Sequence, residues 1–268
     1  MTFVALVTGA SSGIGEATAR RLAREPDARL ILVARRADRL ATLAAQLGGA
    51  TVIATDLTEP DAPARIRTVV EREHGGELHM LVNNAGAAWR GRFAETGWPH
   101  VERHMKLDFE APVRLTEALL PLLRATAAQR AASLPPVSIV NVASTAGRVS
   151  RPNSGAYSAA KFAVAGWSDA LFGEEREHGV HVGLVLPGFV RTEGFPAAEL
   201  LAKPATRWLV SSPEGVAEAI MQAGPGGRAE RYVPRYYWLA AALRILAPRL
   251  IRRATAGGGL ATATKAGD

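Results

Sequence analysis

The chain has 268 residues, 48 % of them hydrophobic and 21 % charged, a composition that excludes disorder and supplies a sizeable core. It has no cysteine, so disulfides, thiolate metal sites and a cysteine nucleophile are excluded. The net charge of +7 invites a nucleic-acid partner, but arginine is scattered through every segment and lysine occurs only at Lys106, Lys161, Lys203 and Lys265, so none is expected.

Residues 3–8 form an apolar strand run, followed by helical spacing over 13–24 carried by Ile14, Ala17 and Leu22. A second strand run at 29–34 precedes a helix marked by Leu40, Leu43 and Leu47. Strand runs recur at 51–55, 78–83, 137–143 and 180–186, separated by helical stretches near 60–74, 98–127 and 155–178. Strands that lack polar alternation are buried on both faces, which predicts an α/β fold: a Rossmann-type, doubly wound parallel sheet with helices on both sides, in a single domain over 1–235. An irregular stretch at 193–213 reads as a substrate lid. Residues 236–255 read as a basic amphipathic helical extension interrupted by Pro248, and 256–268 as a disordered Gly/Ala/Thr-rich tail. The first residues lack the basic region of a signal peptide, and no apolar run reaches the ~18 residues that span a bilayer; a cytoplasmic location is expected.

The first strand ends in Thr8-Gly9-Ala10-Ser11-Ser12-Gly13-Ile14-Gly15. Gly9 permits a tight turn, Gly13 a close approach to a pyrophosphate and Gly15 close helix–strand packing, while the helix N-terminus offers free amides. No Lys-Ser/Thr follows, so it is not a P-loop. The second strand ends in Arg35-Arg36, where NAD-selective sites carry an acid; a guanidinium there suits a 2′-phosphate, which favours NADP(H) over NAD(H). Asn83-Asn84-Ala85-Gly86 follows the fourth strand and Asn141-Val142-Ala143-Ser144 the fifth. Tyr157 and Lys161 open a long helix four residues apart, on one face. A nearby ammonium favours the phenolate and so draws a phenol from ~10 toward working pH. Ser144, at a strand's C-terminal end, is placed to hold the carbonyl oxygen that Tyr157 protonates.

This conjunction resembles the short-chain dehydrogenases/reductases of the single-domain branch, over nearly all of 1–235. The Thr-Gly-x-x-x-Gly-x-Gly motif falls on Thr8, Gly9, Gly13 and Gly15, the adenine-contacting acid pair on Asp56-Leu57, and the Asn-Asn-Ala-Gly motif on Asn83 to Gly86. The resemblance makes Ser144, Tyr157 and Lys161 catalytic, with Tyr157 as general acid/base and Lys161 on the nicotinamide ribose, and it places Pro187, Gly188, Val190 and Thr192 over the nicotinamide. It departs at Asp108, where the family carries a helix-kinking Asn whose main-chain carbonyl takes part in a proton relay; the Asp108 carbonyl could still serve there, which keeps Asp108 among the catalytic residues, or its carboxylate could instead pair with Lys161 or Arg114 and alter the relay. The implied activity is NADP(H)-dependent interconversion of a small-molecule ketone or aldehyde and an alcohol, by a homodimer or homotetramer. A catalytically impaired nucleotide-sensing or membrane-surface protein is the alternative.

His100 and His104 lack metalloprotease spacing and read as residues of a surface helix; no metal is expected. Trp89, Phe93, Trp98, Phe189, Phe195 and Trp208 are candidates for an apolar substrate pocket. The seam Leu239, Leu243, Leu246, Leu250, flanked by arginines, is expected to pack on its own domain or a partner subunit in preference to a membrane.

Overall fold

The computed structural model describes residues 2–131, 133–195 and 197–256. Its main sheet is built from β1 (Phe3–Thr8), β2 (Ala28–Ala34), β3 (Thr51–Ala54), β4 (Met80–Asn83), β5 (Val137–Val142), β6 (Val180–Pro187) and β9 (Glu230–Val233). All pairs are parallel, in the order β3-β2-β1-β4-β5-β6-β9. A small parallel ribbon joins β7 (Phe189–Val190) to β8 (Val210–Ser211). The predicted doubly wound sheet is therefore present, with one strand, β9, that the apolar runs do not announce.

Helices α1 (Gly13–Leu22), α2 (Ala37–Gln46) and α9 (Pro213–Ala223) cover one face, burying Leu22, Leu40 and Ile220 against Val7, Leu32 and Val82. Helices α3 (Ala62–His74), α5 (Ala111–Ala128) and α6 (Gly155–Glu175) cover the other, where Ile66, Leu115 and Leu171 meet Leu6, Ile31, Leu81 and Ile139. Alternate side chains of the central strands thus enter opposite cores, which is why these strands read as unbroken apolar runs. The helical stretch expected at 98–127 is three pieces: α4 (Phe93–His104), a π-helical turn Met105–Glu110 and α5. The remaining elements are α7 (Ala198–Ala202), α8 (Pro204–Arg207), α10 (Trp238–Leu246) and α11 (Pro248–Ala256). The expected tail falls, apart from Ala256 at the end of α11, on 257–268, outside the described residues.

A chain of buried amides fixes the strand ends on which the site is built. Asn83 Nδ2 donates to Asn141 Oδ1 at 2.8 Å and to Thr116 Oγ1 at 2.9 Å, and Asn141 Nδ2 donates to Ser168 Oγ at 2.9 Å. β4, β5, α5 and α6 are tied together by these bonds. Truncating one member strands buried donors and acceptors, at about 1–3 kcal/mol. Asn141→Ala is therefore expected to lower stability by ~1–3 kcal/mol in urea unfolding; an unchanged midpoint would show that the network contributes nothing to holding these strands.

Candidate active site

The order of the sheet places the exits of β1 and β4 side by side while their connections run to opposite faces, and the crevice opens there. Thr8 staples the two exits: its hydroxyl donates to the Val82 carbonyl at 3.1 Å and accepts from the amides of Asn84 at 2.9 Å and Ala85 at 3.0 Å. Asn84 Nδ2 donates back to the Thr8 carbonyl at 2.9 Å. In the glycine loop, Gly9 and Gly13 have φ of +68° and +58°, a region that disfavours side chains. A Cβ at Gly15 would run into the Gly9 carbonyl, so only glycine allows α1 to start this close to β1.

Two adjoining cavities of about 450 and 460 Å³ share Ile14, Asn84, Gly86, Thr192 and Gly194. The first is lined by Gly9, Ser11, Ser12, Gly13, Arg35, Arg36, Asp56, Leu57 and Ala85. The second contains Ser144, Tyr157, Lys161, Asp108, Pro187, Gly188 and Val190. Every expected cofactor-binding residue lies on one of them except Asn83 and Gly15, which sit behind the surface in the amide network and the helix–strand contact respectively. Of the aromatic candidates, Trp89, Phe189 and Phe195 line the second cavity, with Phe189 and Phe195 stacked at 5.6 Å, whereas Phe93, Trp98 and Trp208 are exposed.

At the far end of the first cavity, Arg36 donates to Ser12 Oγ at 2.7 Å and Ser11 Oγ at 3.0 Å and pairs with Glu193 at 3.2 Å. Arg35 is largely exposed and only loosely paired with Asp56, at 3.8 Å. Asp56 accepts from the Thr58 amide at 2.9 Å and hydroxyl at 2.8 Å. Its carboxyl ends below the ordinary carboxylate value: partial burial pushes it up, and the Thr58 bonds and Arg35 outweigh that.

The floor of the second cavity holds the polar cluster. Lys161 is buried, donates to the Val142 carbonyl at 3.2 Å and lies 3.4 Å from Asp108 Oδ1. Asp108 also accepts from the Ala87 amide at 3.1 Å, and its Oδ2 lies 2.7 Å from His104 Nδ1. Of the two pairings open to Asp108, the one with Lys161 forms, while Arg114 turns to Glu110 at 3.3 Å and the Pro60 carbonyl at 2.8 Å. Ser144 Oγ accepts from the Ala146 amide at 3.1 Å and donates to the Pro187 carbonyl at 3.3 Å. The Tyr157 phenol lies above its ordinary value: burial raises it most, Lys161 opposes, the Asp108 charge raises it further, and a hydrogen bond with Ser144 and the Arg151 charge lower it. The expected pull of the ammonium is present, but desolvation and Asp108 exceed it.

The reading of His104 as a surface residue is wrong. It is fully buried, with Nε2 3.2 Å from the Trp89 carbonyl and its ring 5.7 Å from that of Tyr157. The signal missed was its four-residue spacing to Asp108, which the intervening π-helical turn keeps in contact. Among the described residues no group of three or more His, Asp or Glu is arranged to hold a metal ion, and no helix is long and apolar enough to cross a membrane.

Comparison with known proteins agrees with this fold. The sequence profile described as short chain dehydrogenase matches residues 3–199. Over 200 residues the chain is 31 % identical to the dehydrogenase/reductase SDR family member 7B of Bos taurus, covering 70 % of this chain and 58 % of that protein. It spans 61 % of the Danio rerio counterpart. The putative oxidoreductase SadH of Mycobacterium tuberculosis is 38 % identical over 196 residues, 70 % of this chain and 67 % of that one. A solved structure of a short-chain dehydrogenase from Streptomyces avermitilis superposes with a TM-score of 0.75 at 29 % identity, covering 95 % of this chain and 97 % of its own. The chain belongs to the short-chain dehydrogenase family.

Proposed function

We propose that this protein is an NADP(H)-dependent oxidoreductase that interconverts a ketone or aldehyde and the corresponding alcohol. The observation that carries the reading is the convergence of Tyr157, Ser144 and Lys161 on one cavity that continues into the glycine loop. The residues present suit a dinucleotide: two positive-φ glycines shape the turn before α1, and Arg35 and Arg36 stand at the end of the trough. The nicotinamide, when bound, supplies or accepts the hydride. Lys161, Ile14, Pro187, Val190 and Thr192 would hold that end; Asp56, Leu57 and the two arginines would hold the adenosine end. A ketoacyl reductase, HetN of a Nostoc species, is 30 % identical over 222 residues, covering 81 % of this chain and 74 % of that one, which supports the carbonyl–alcohol assignment.

Tyr157 donates its phenolic proton to the carbonyl oxygen in the reductive direction and takes it back from the alcohol in the oxidative one. Ser144 holds the same oxygen by its hydroxyl, for which it must leave the Pro187 carbonyl. Lys161 stabilises the phenolate formed after donation, and Asp108 holds the ammonium in place while offsetting part of its field. A binding-only role has less support, because the three groups that move the proton are assembled around one space.

Tyr157→Phe is expected to lower the rate of NADPH oxidation with a panel of ketones ~10²–10⁴-fold, with NADPH binding, followed by fluorescence, intact. Full retained turnover would contradict the role. The Asp108 carboxylate favours the neutral phenol, so Asp108→Asn lowers the Tyr157 pKa. The acid limb of alcohol oxidation, which needs phenolate, should move to lower pH, and so should the alkaline limb of ketone reduction, which needs phenol. Limbs that stay in place or move to higher pH would sink this electrostatic assignment. Arg35→Ser should cut the preference for NADPH over NADH, as a ratio of kcat/KM, by about 10- to 100-fold; an unchanged ratio would remove Arg35 from cofactor discrimination.

A further inference from the structure

The C-terminal segment is not packed as its sequence leads one to expect. Tyr237 is anchored: its ring lies against Gly188, where any Cβ would collide with it, and its hydroxyl donates to the Leu209 carbonyl at 2.9 Å. Ala241 is the buried residue of α10. Beyond these anchors the leucine seam faces outward, with Leu243 exposed, Leu246 80 % exposed and Leu250 61 % exposed. Ile245 is 79 % exposed, and Trp238 and Leu239 are also open. Of the two packings expected for the seam, on its own domain or on a partner subunit, the first does not form. The patch continues onto the lid side, where Trp208 contacts Tyr236 at 5.2 Å between ring centres and Tyr236 donates to the Trp208 carbonyl.

The charge on this segment has one sign. Between residues 231 and 256 there is no Asp or Glu, against Arg231, Arg235, Arg244, Arg249, Arg252 and Arg253. A second copy packed across a two-fold axis on this face would bring the arginines of both segments into one self-complementary interface, with no carboxylate in either segment to pair them. An anionic bilayer answers both features. Aliphatic side chains enter the acyl boundary, aromatic rings sit at the headgroup level, and arginine stems lie along the apolar surface with their charges at the phosphates. Neither α10 nor α11 is long enough to span a bilayer, so both would lie in the plane of the surface.

We infer that α10 and α11, with Trp208 and Tyr236, form a docking surface for anionic phospholipid membranes. Because the Tyr237 ring at its base lies against Gly188, which lines the cavity of Tyr157, a substrate dissolved in the membrane would have a short route to that cavity.

The test is co-sedimentation of the full chain with vesicles of phosphatidylcholine alone and of phosphatidylcholine with phosphatidylglycerol. The protein is expected to bind the mixed vesicles about tenfold more strongly than the neutral ones, and to release them as salt rises to ~0.5 M. Leu246→Asp combined with Leu250→Asp should reduce binding about tenfold without altering the circular dichroism spectrum. Arg252→Gln with Arg253→Gln, a change that leaves the apolar seam intact, should weaken binding to the mixed vesicles alone. Failure of the unaltered protein to bind the mixed vesicles overturns the inference, as does binding that both paired variants retain. So does a dimer, seen by light scattering, that the Leu246/Leu250 variant dissolves while neither protein binds lipid; the face would then join copies of the chain.

Discussion

A buried ammonium sets the terms for the rest of this site. Lys161 is only 4 % exposed, and a charge held there without a partner would cost several kcal/mol. Asp108, the Val142 carbonyl and, one step further, His104 provide the compensation. Both nitrogens of His104 face acceptors, a carboxylate and the Trp89 carbonyl, so the ring donates to both only when each nitrogen carries a proton. The backbone is shaped around this cluster. A Cβ at Gly86 would sit 2.5 Å from Asp108 Oδ1, and one at Gly147 would sit 2.6 Å from the Lys161 carbonyl. The π-helical turn at Met105–Glu110 brings Asp108 inward from a segment that would otherwise run as a single helix.

An acid at position 108 changes what the lysine can do for the tyrosine. Beside a neutral side chain the ammonium would act on the phenol undiminished; beside a carboxylate, part of that field is cancelled, and burial leaves the phenol above its ordinary value. The hydrogen bond with Ser144 works in the other direction. Proton transfer at Tyr157 thus depends on burial and on a balance among Lys161, Asp108, Ser144 and Arg151, drawn from α6, the π-helical turn, the end of β5 and the loop before α6.

The sheet was legible in the sequence because strands buried on two faces leave runs such as Leu30 to Val33 and Val180 to Leu186 with no polar alternation. The site residues were legible because they stand at strand ends and at helical spacing. What escaped the reading has physical causes. β9, Glu-Arg-Tyr-Val, lies at the sheet edge, where only Val233 is buried, so it carries no apolar run. His104 was read against its other histidine, His100, and its true partner became apparent only once the π-helical turn was seen. The C-terminal seam has the spacing of a buried helix face, and periodicity does not say what covers such a face. Asn83 belongs to a motif that borders the crevice, yet strand alternation turns its side chain into the core.

Lys161 acts electrostatically on Tyr157, and the most direct measurement of this is the spectroscopic pH titration of tyrosinate formation. Subtracting the curve of a Tyr157→Phe protein isolates this phenol from Tyr232, Tyr236 and Tyr237. Replacing Lys161 by Met in the same experiment should move the isolated titration to higher pH, since an opposing charge is removed from a site where burial already raises it. A titration that stays where it was would contradict the central claim and leave Lys161 as a structural residue.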